Sequence, residues 1–288
     1  VSLSDPDLEH VSASRFARDT AVEAVDSTHY VARIVPGWAV MDGGAPNGGY
    51  LLAIGARAMS MAVGKPDPVS ITAHYLAPAD EGPIDINVEV VRLGRRHATV
   101  TAAMIQQGRE RVQLLATFAD LGDNDSEDIR VDLSPPAYPP VQECLDFTKA
   151  GTERAAEGGY PPPPILQRFD HRVPEELAGW TVGQPAGRGE IGGYVRFSDG
   201  AEMDPFGVLT VLDAYPPAVY NSGDSTLGWV PTIELTVHLR RRPSAGYLTT
   251  RMRTQAITAG GYLEEDGEVW DAQGRLVALS RQLALAAR

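Results

Sequence analysis

Asp213 stands out among the residues whose type and spacing could do chemistry. It lies four residues after Leu209 and seven after Phe206, which puts all three on one face of a helix. A carboxylate on an apolar face is costly unless it is paired or has a function. Pro216 and Pro217 follow, so the helix should end or kink near Asp213, and the carboxylate should meet the negative end of the helix dipole. Burial and dipole both raise a carboxylic acid's pKa, toward the range a general base needs near neutral pH. The alternative is an Asp bonded to the loop after the helix. Thr232 opens the alternating run TIELTVHLR, with Thr232, Glu234, Thr236 and His238 on one strand face and Ile233, Leu235, Val237 and Leu239 on the other. That polar face is either solvated or turned toward a site, where a hydroxyl that does not ionise can orient a water. Gln282 alternates with Leu276, Ala278, Ser280 and Ala284, and an amide in that company is either an edge residue or is bonded to a water or a carboxylate.

Other constellations are missing. There is no G-x-S-x-G elbow, no G-x-G-x-x-G and no Walker-type loop. The six histidines (His10, His29, His74, His97, His171 and His238) show no metal-pair spacing, and the lone Cys144 has no histidine near it in sequence. No metal and no cofactor are expected. The 288 residues are 43% hydrophobic and 22% charged, which suits a folded globular chain. With 38 acidic against 25 basic side chains and a formal charge of −13, nucleic acid is a poor partner. The one dense basic run, Arg240, Arg241 and Arg242, is either a solvated strand end or a landing site for an anionic ligand such as a phosphorylated cofactor. No apolar window is long enough for a membrane span. The start, VSLSDPDLEHVSASRF, lacks a basic stretch followed by an apolar one, so a cytoplasmic, reducing setting is expected.

The elements that must position these residues come from an internal repeat. VSITAHYLAPADEGPI (69–84) aligns without a gap on IELTVHLRRRPSAGYL (233–248): Thr72 meets Thr236, His74 meets His238 and Gly82 meets Gly246, at a constant spacing of 164 residues. Both copies alternate apolar and polar residues, the period of a two-faced strand, and three further strands follow in each. Upstream of each set sits an apolar helix, NGGYLLAIGARAMSMAVG with Asn47 as N-cap, and AEMDPFGVLTVLDAYPPAVY with Asp204 as N-cap and Pro205 at the first position. The expected fold is α+β: two tandem repeats, each a long helix wrapped by an antiparallel sheet. The expected divisions are residues 1–121, a proline-rich linker over 122–186, and residues 187–288. In the linker, Tyr138, Tyr160 and the prolines are candidates to cover an edge strand or wall a channel. Aligning Asn47 with Asp204 matches Asp213 to Ala56; Thr232 matches Pro68 and Gln282 matches Thr117. All three polar types are absent from the first copy, so chemistry is expected in the second alone. His74 and His238 recur, which favours a structural role.

The segments PNGGYLLAIGARAM, VSITAHYLAPAD, RLGRRHATVTAAMIQQGR, VLDAYPP, GWVPTIELTVHL and GRLVALSRQLAL resemble the type II acyl-CoA thioesterases, which are double hot-dog proteins. The resemblance implies hydrolysis of an acyl-CoA thioester without a cofactor. It also implies three side chains that hold and activate a water, at the positions of Asp213, Thr232 and Gln282. The developing oxyanion needs donors, and the unpaired N–H groups at Asn47, Gly48 and Gly49 are the candidates. The glycines could instead only let the helix pass close to its neighbours. Two rivals keep the fold: a non-catalytic acyl-CoA or lipid-binding protein, and a hydratase that would pair an Asp with a His such as His238. Exposed hot-dog sheet edges point to a homo-oligomer.

Overall fold

A computed structural model describes residues 14–41, 43–122, 128–157, 161–224 and 227–286. Tyr160 and His10 lie outside the described residues. The first half carries β1 (Val22–Ala24), β2 (His29–Ile34), β3 (Asp67–Tyr75), β4 (Gly82–Leu93), β5 (Ala98–Gln106) and β6 (Arg109–Ala119). The second carries β7 (Leu145–Asp146), β8 (Phe169–Val173), β9 (Glu190–Phe197), β10 (Thr232–Leu239), β11 (Leu248–Ile257), β12 (Tyr262–Trp270) and β13 (Leu276–Leu285). They form one antiparallel sheet in the order β1-β2-β4-β5-β6-β3-β10-β13-β12-β11-β9-β8-β7. Reading outward from the β3–β10 seam, equivalent strands of the two halves appear in the same sequence on each side.

The seam carries the repeat's symmetry. Thr72 and Thr236, the residues aligned by the 164-residue spacing, lie directly opposite one another, and their hydroxyls are 2.8 Å apart. A pseudo-twofold axis therefore passes between them. β5 and β6 are joined by the two-residue turn Gln107-Gly108, with φ of 55° and 70°, the left-handed pair that fits the strands' twist.

Helix α1 spans Arg15–Asp19, and α2 spans Gly48–Val63. Asn47 caps α2 by accepting from the Tyr50 N–H, and Gly64, at φ 62°, ends it in the left-handed region. Leu52, Ala53, Ile54 and Met59 are fully buried, because α2 packs against strands β1 to β6. Helices α3 (Phe147–Ala156) and α4 (Glu175–Ala178) follow, then α5 (Pro205–Val211), capped by Asp204. The expectation of a long helix in each half fails for α5, which has seven residues. Pro216 and Pro217 cannot continue it, and the chain tightens beforehand: the N–H groups of Asp213 and Ala214 bond the carbonyls three residues back, Thr210 and Val211.

The described part of residues 122–186 adds strands to the sheet. β7 and β8 add to the outer edge beside β9, so the expected boundary at 186/187 separates two hydrogen-bonded neighbours, β8 and β9. Tyr138 lies on a sheet face rather than over an edge: its hydroxyl donates to the Thr250 carbonyl and its ring packs edge-on against Tyr194.

Candidate active site

Helices α2 and α5 meet close to their ends. A Cβ at Gly49 would stand 2.9 Å from the Leu209 carbonyl oxygen and 2.9 Å from Asp213 Cβ, so only glycine permits the approach. The contact places Asp213 at the N-terminus of α2. Its Oδ2 accepts from Asn47 Nδ2 at 2.9 Å and from the Gly49 N–H at 2.8 Å, while Asn47 Nδ2 also reaches the Asp213 carbonyl at 2.7 Å. The dipole expectation is thereby corrected. Asp213 follows a short helix, and the nearest helix end is the positive N-terminus of α2, whose amides lower its pKa. Burial outweighs them and lifts the acid from 3.8 to about 6.

The placement of Thr232 differs from strict alternation. The β10–β13 ladder slips between Thr232 and Glu234, a β-bulge that reverses the alternation at that point. Thr232 consequently lies opposite the buried Ala284 and faces inward, not outward with Glu234, Thr236 and His238. Gln282 lies opposite the fully buried Leu235, which fixes it on the same inner face. Its Nε2 donates to Thr232 Oγ1 at 2.5 Å, and that hydroxyl stands 3.5 Å from Asp213 Oδ1. Amide, hydroxyl and carboxylate thus form a chain along one wall of a cavity of about 390 Å³. Leu51, Leu76, Ile165, Leu212 and Val230 supply apolar lining, and Pro163 from the proline-rich segment adds to the wall.

The Asn47, Gly48 and Gly49 group is used differently from the expectation. The Asn47 amide and the Gly49 N–H are both engaged by Asp213, and the Gly48 N–H also lowers its pKa. The Asn47 amide and the Gly49 N–H hold the carboxylate.

Glu265 escaped notice in the sequence. It lies directly opposite Gln282, is buried and lines the cavity. Its Oε2 accepts from the Ala218 N–H at 2.6 Å and from Thr254 at 3.4 Å, which pins the turn after Pro217 to the sheet. Burial, with a smaller push from the Asp213 charge, raises its pKa to about 7. The signal was present: in YLEEDGEVW, Glu265 alternates with Leu263, Gly267 and Val269, an otherwise apolar set.

The ladders also correct one match in the internal alignment. Ile71 pairs with Ala116 and Leu235 with Gln282, so Gln282 corresponds to Ala116, one residue from Thr117. By the same register Glu265 corresponds to Val100. The remaining candidates sit away from the site. His238 is exposed on the outer face, where no Asp–His pair with Asp213 can form. Arg242 is paired with Asp67 and Asp120, Arg241 with Asp128, and the exposed Arg240 bonds the Val69 carbonyl, so the run is tied to distant segments of the chain. Cys144 is buried and its thiol pKa is raised, which disfavours the thiolate.

Residues 35–119 match the acyl-CoA thioesterase N-terminal domain, and residues 141–286 the acyl-CoA thioesterase C-terminal domain. The chain belongs to the acyl-CoA thioesterase family. A provisionally assigned thioesterase II from Thermobifida fusca YX superposes with a TM-score of 0.83 at 32% identity, over 96% of this chain and 99% of that one. A hot-dog protein of unknown function from Alicyclobacillus acidocaldarius gives 0.80 at 20% identity, over 96% and 99%. The acyl-CoA thioesterase II TesB2 from Mycobacterium marinum gives 0.69 at 17%, over 94% and 98%. The latter two share the hot-dog fold. Among the described residues, no helix is long and apolar enough to cross a membrane.

Proposed function

We propose that this acyl-CoA thioesterase family member hydrolyses acyl-CoA thioesters to free acid and CoA by direct attack of water, with Asp213 as general base and Thr232 and Gln282 orienting the water. The observation that carries this reading is the chain from Gln282 Nε2 through Thr232 Oγ1 to Asp213, opening on an apolar cavity. Asp213 takes a proton from the water, whose oxygen adds to the thioester carbonyl carbon. The tetrahedral intermediate then collapses with cleavage of the C–S bond, and the proton passes to the departing sulfur. No cofactor or metal enters the scheme. With a pKa near 6, Asp213 is mostly ionised at neutral pH yet remains a stronger base than an exposed carboxylate. A cytoplasmic setting and a homo-oligomer complete the proposal.

The test is thiol release from acyl-CoAs of graded chain length, by the native protein and by Asp213→Asn. Release by the native protein and its loss in the variant support the scheme. Unchanged release in the variant removes Asp213 from it, and tight acyl-CoA binding without release identifies a carrier.

A further inference from the structure

With the Asn47 amide and the Gly49 N–H engaged by Asp213, a further donor to the oxyanion is of interest. Tyr75, the last residue of β3, offers one. Among the described residues its buried hydroxyl has no hydrogen-bond partner, and its side chain lines the same cavity. A buried hydroxyl without a partner is unfavourable unless something fills the vacancy. Gly48 fixes its position relative to the base: a Cβ there would lie 2.7 Å from Tyr75 Cζ and 2.9 Å from Asp213 Oδ2. Phenol and carboxylate therefore flank one glycine. The seam register brings Tyr75 alongside the bulge that turns Thr232 inward, since Glu234 pairs with His74. The counterpart of Tyr75 across the pseudo-twofold axis, Leu239, is a buried apolar residue, so packing at this position does not demand a hydroxyl.

From this geometry we infer that Tyr75 is a further catalytic residue, donating its phenolic hydrogen to the thioester carbonyl oxygen as negative charge develops there. The inference rests on the hydrolase reading above. When the water oxygen adds to the carbonyl carbon, the C=O π pair moves onto the oxygen, which accepts the Tyr75 hydrogen bond. When the C–S bond breaks, the pair returns and the bond weakens. The phenol gives up no proton. Burial and the nearby Asp213 and Glu234 hold its pKa well above the ordinary tyrosine value, which keeps it a donor throughout. The first half of the chain would thus supply electrophilic assistance to a base carried by the second.

The experiment compares native protein and Tyr75→Phe for kcat, KM and binding of an S-alkyl-CoA thioether, which has no carbonyl. Expected are a fall in kcat of about 100-fold, KM changed by less than about threefold, and unaltered thioether affinity. If Tyr75→Phe is too unstable to assay, Tyr75→Leu, which copies Leu239, serves instead. An active native protein matched in kcat by the variant overturns the inference alone, as does a variant that loses affinity for ester and thioether equally, because that marks Tyr75 as a wall residue. A native protein that releases no thiol overturns the hydrolase reading and this inference with it.

Discussion

The two ends of the α2–α5 pair are related by the pseudo-twofold axis, yet only one gathers polar side chains around a cavity. At that end, Asp213, Thr232, Glu265 and Gln282 converge; at the mirrored end, the corresponding residues are Ala56, Pro68, Val100 and Ala116, all buried. The helix caps differ in the same sense. Asn47 and Asp204 both accept from the amide three residues on, so both serve as N-caps. Asn47 has an NH₂ group left over and gives it to Asp213, whereas Asp204 has only acceptors and receives Arg57 at 2.7 Å. A carboxylate is held at one end because an amide caps the facing helix. At the other, a carboxylate already occupies the cap, and the residue corresponding to Asp213 is the apolar Ala56. The lesson is that the two halves of a duplicated fold can differ in four side chains and one cap while the seam ladder keeps its symmetry.

The first prediction removes a feature of one end, and the other three swap features across the axis. Asp213→Asn removes the proposed base while keeping the side chain's shape, and thiol release should fall by about 1,000-fold. Ala56→Asp places a carboxylate at the mirrored end, facing a cap with no hydrogen to offer. It should cost about 3 kcal/mol of stability in denaturant unfolding and add no activity. Gln282→Ala copies Ala116 and frees the Thr232 hydroxyl from its anchor; kcat should drop by about 30-fold, with folding retained. Asn47→Asp copies the other half's cap. The helix remains capped, but a donor to Asp213 becomes a like charge, so the acid limb of the rate profile should move up by about one pH unit.

Much of this was legible in the sequence, for reasons that differ by residue. Helix α2 announces itself through Asn47, its apolar face and Gly64, all local signals. The repeat gave the seam, because Thr72 and Thr236 align in sequence and meet in space. Asp213 was visible as a charge out of place. What strict periodicity misses is a change of period. Thr232 reads as an outward residue until the bulge at Ile233 turns it inward, and no turn residue marks that bulge. Arg240, Arg241 and Arg242 read as one basic run, yet each finds partners remote in sequence, such as Asp67 and Asp128. The shortness of α5 depends on where the chain tightens before Pro216, which local propensity does not resolve. Glu265 lay within reach, since one carboxylate on an apolar strand face is the same kind of signal as Asp213.

Asp213 as the base is tested most directly by the pH dependence of kcat/KM for thiol release, in the native protein and in the residual activity of Asp213→Asn. Burial raises this acid in the folded protein, so the protonated, inactive form persists up to about pH 6. The native rate should rise about tenfold per pH unit below that value and level off above it, and the variant should show no such rise. A native profile flat from pH 4.5 to 7.5, or a rise near 6 that survives in Asp213→Asn, would contradict the account.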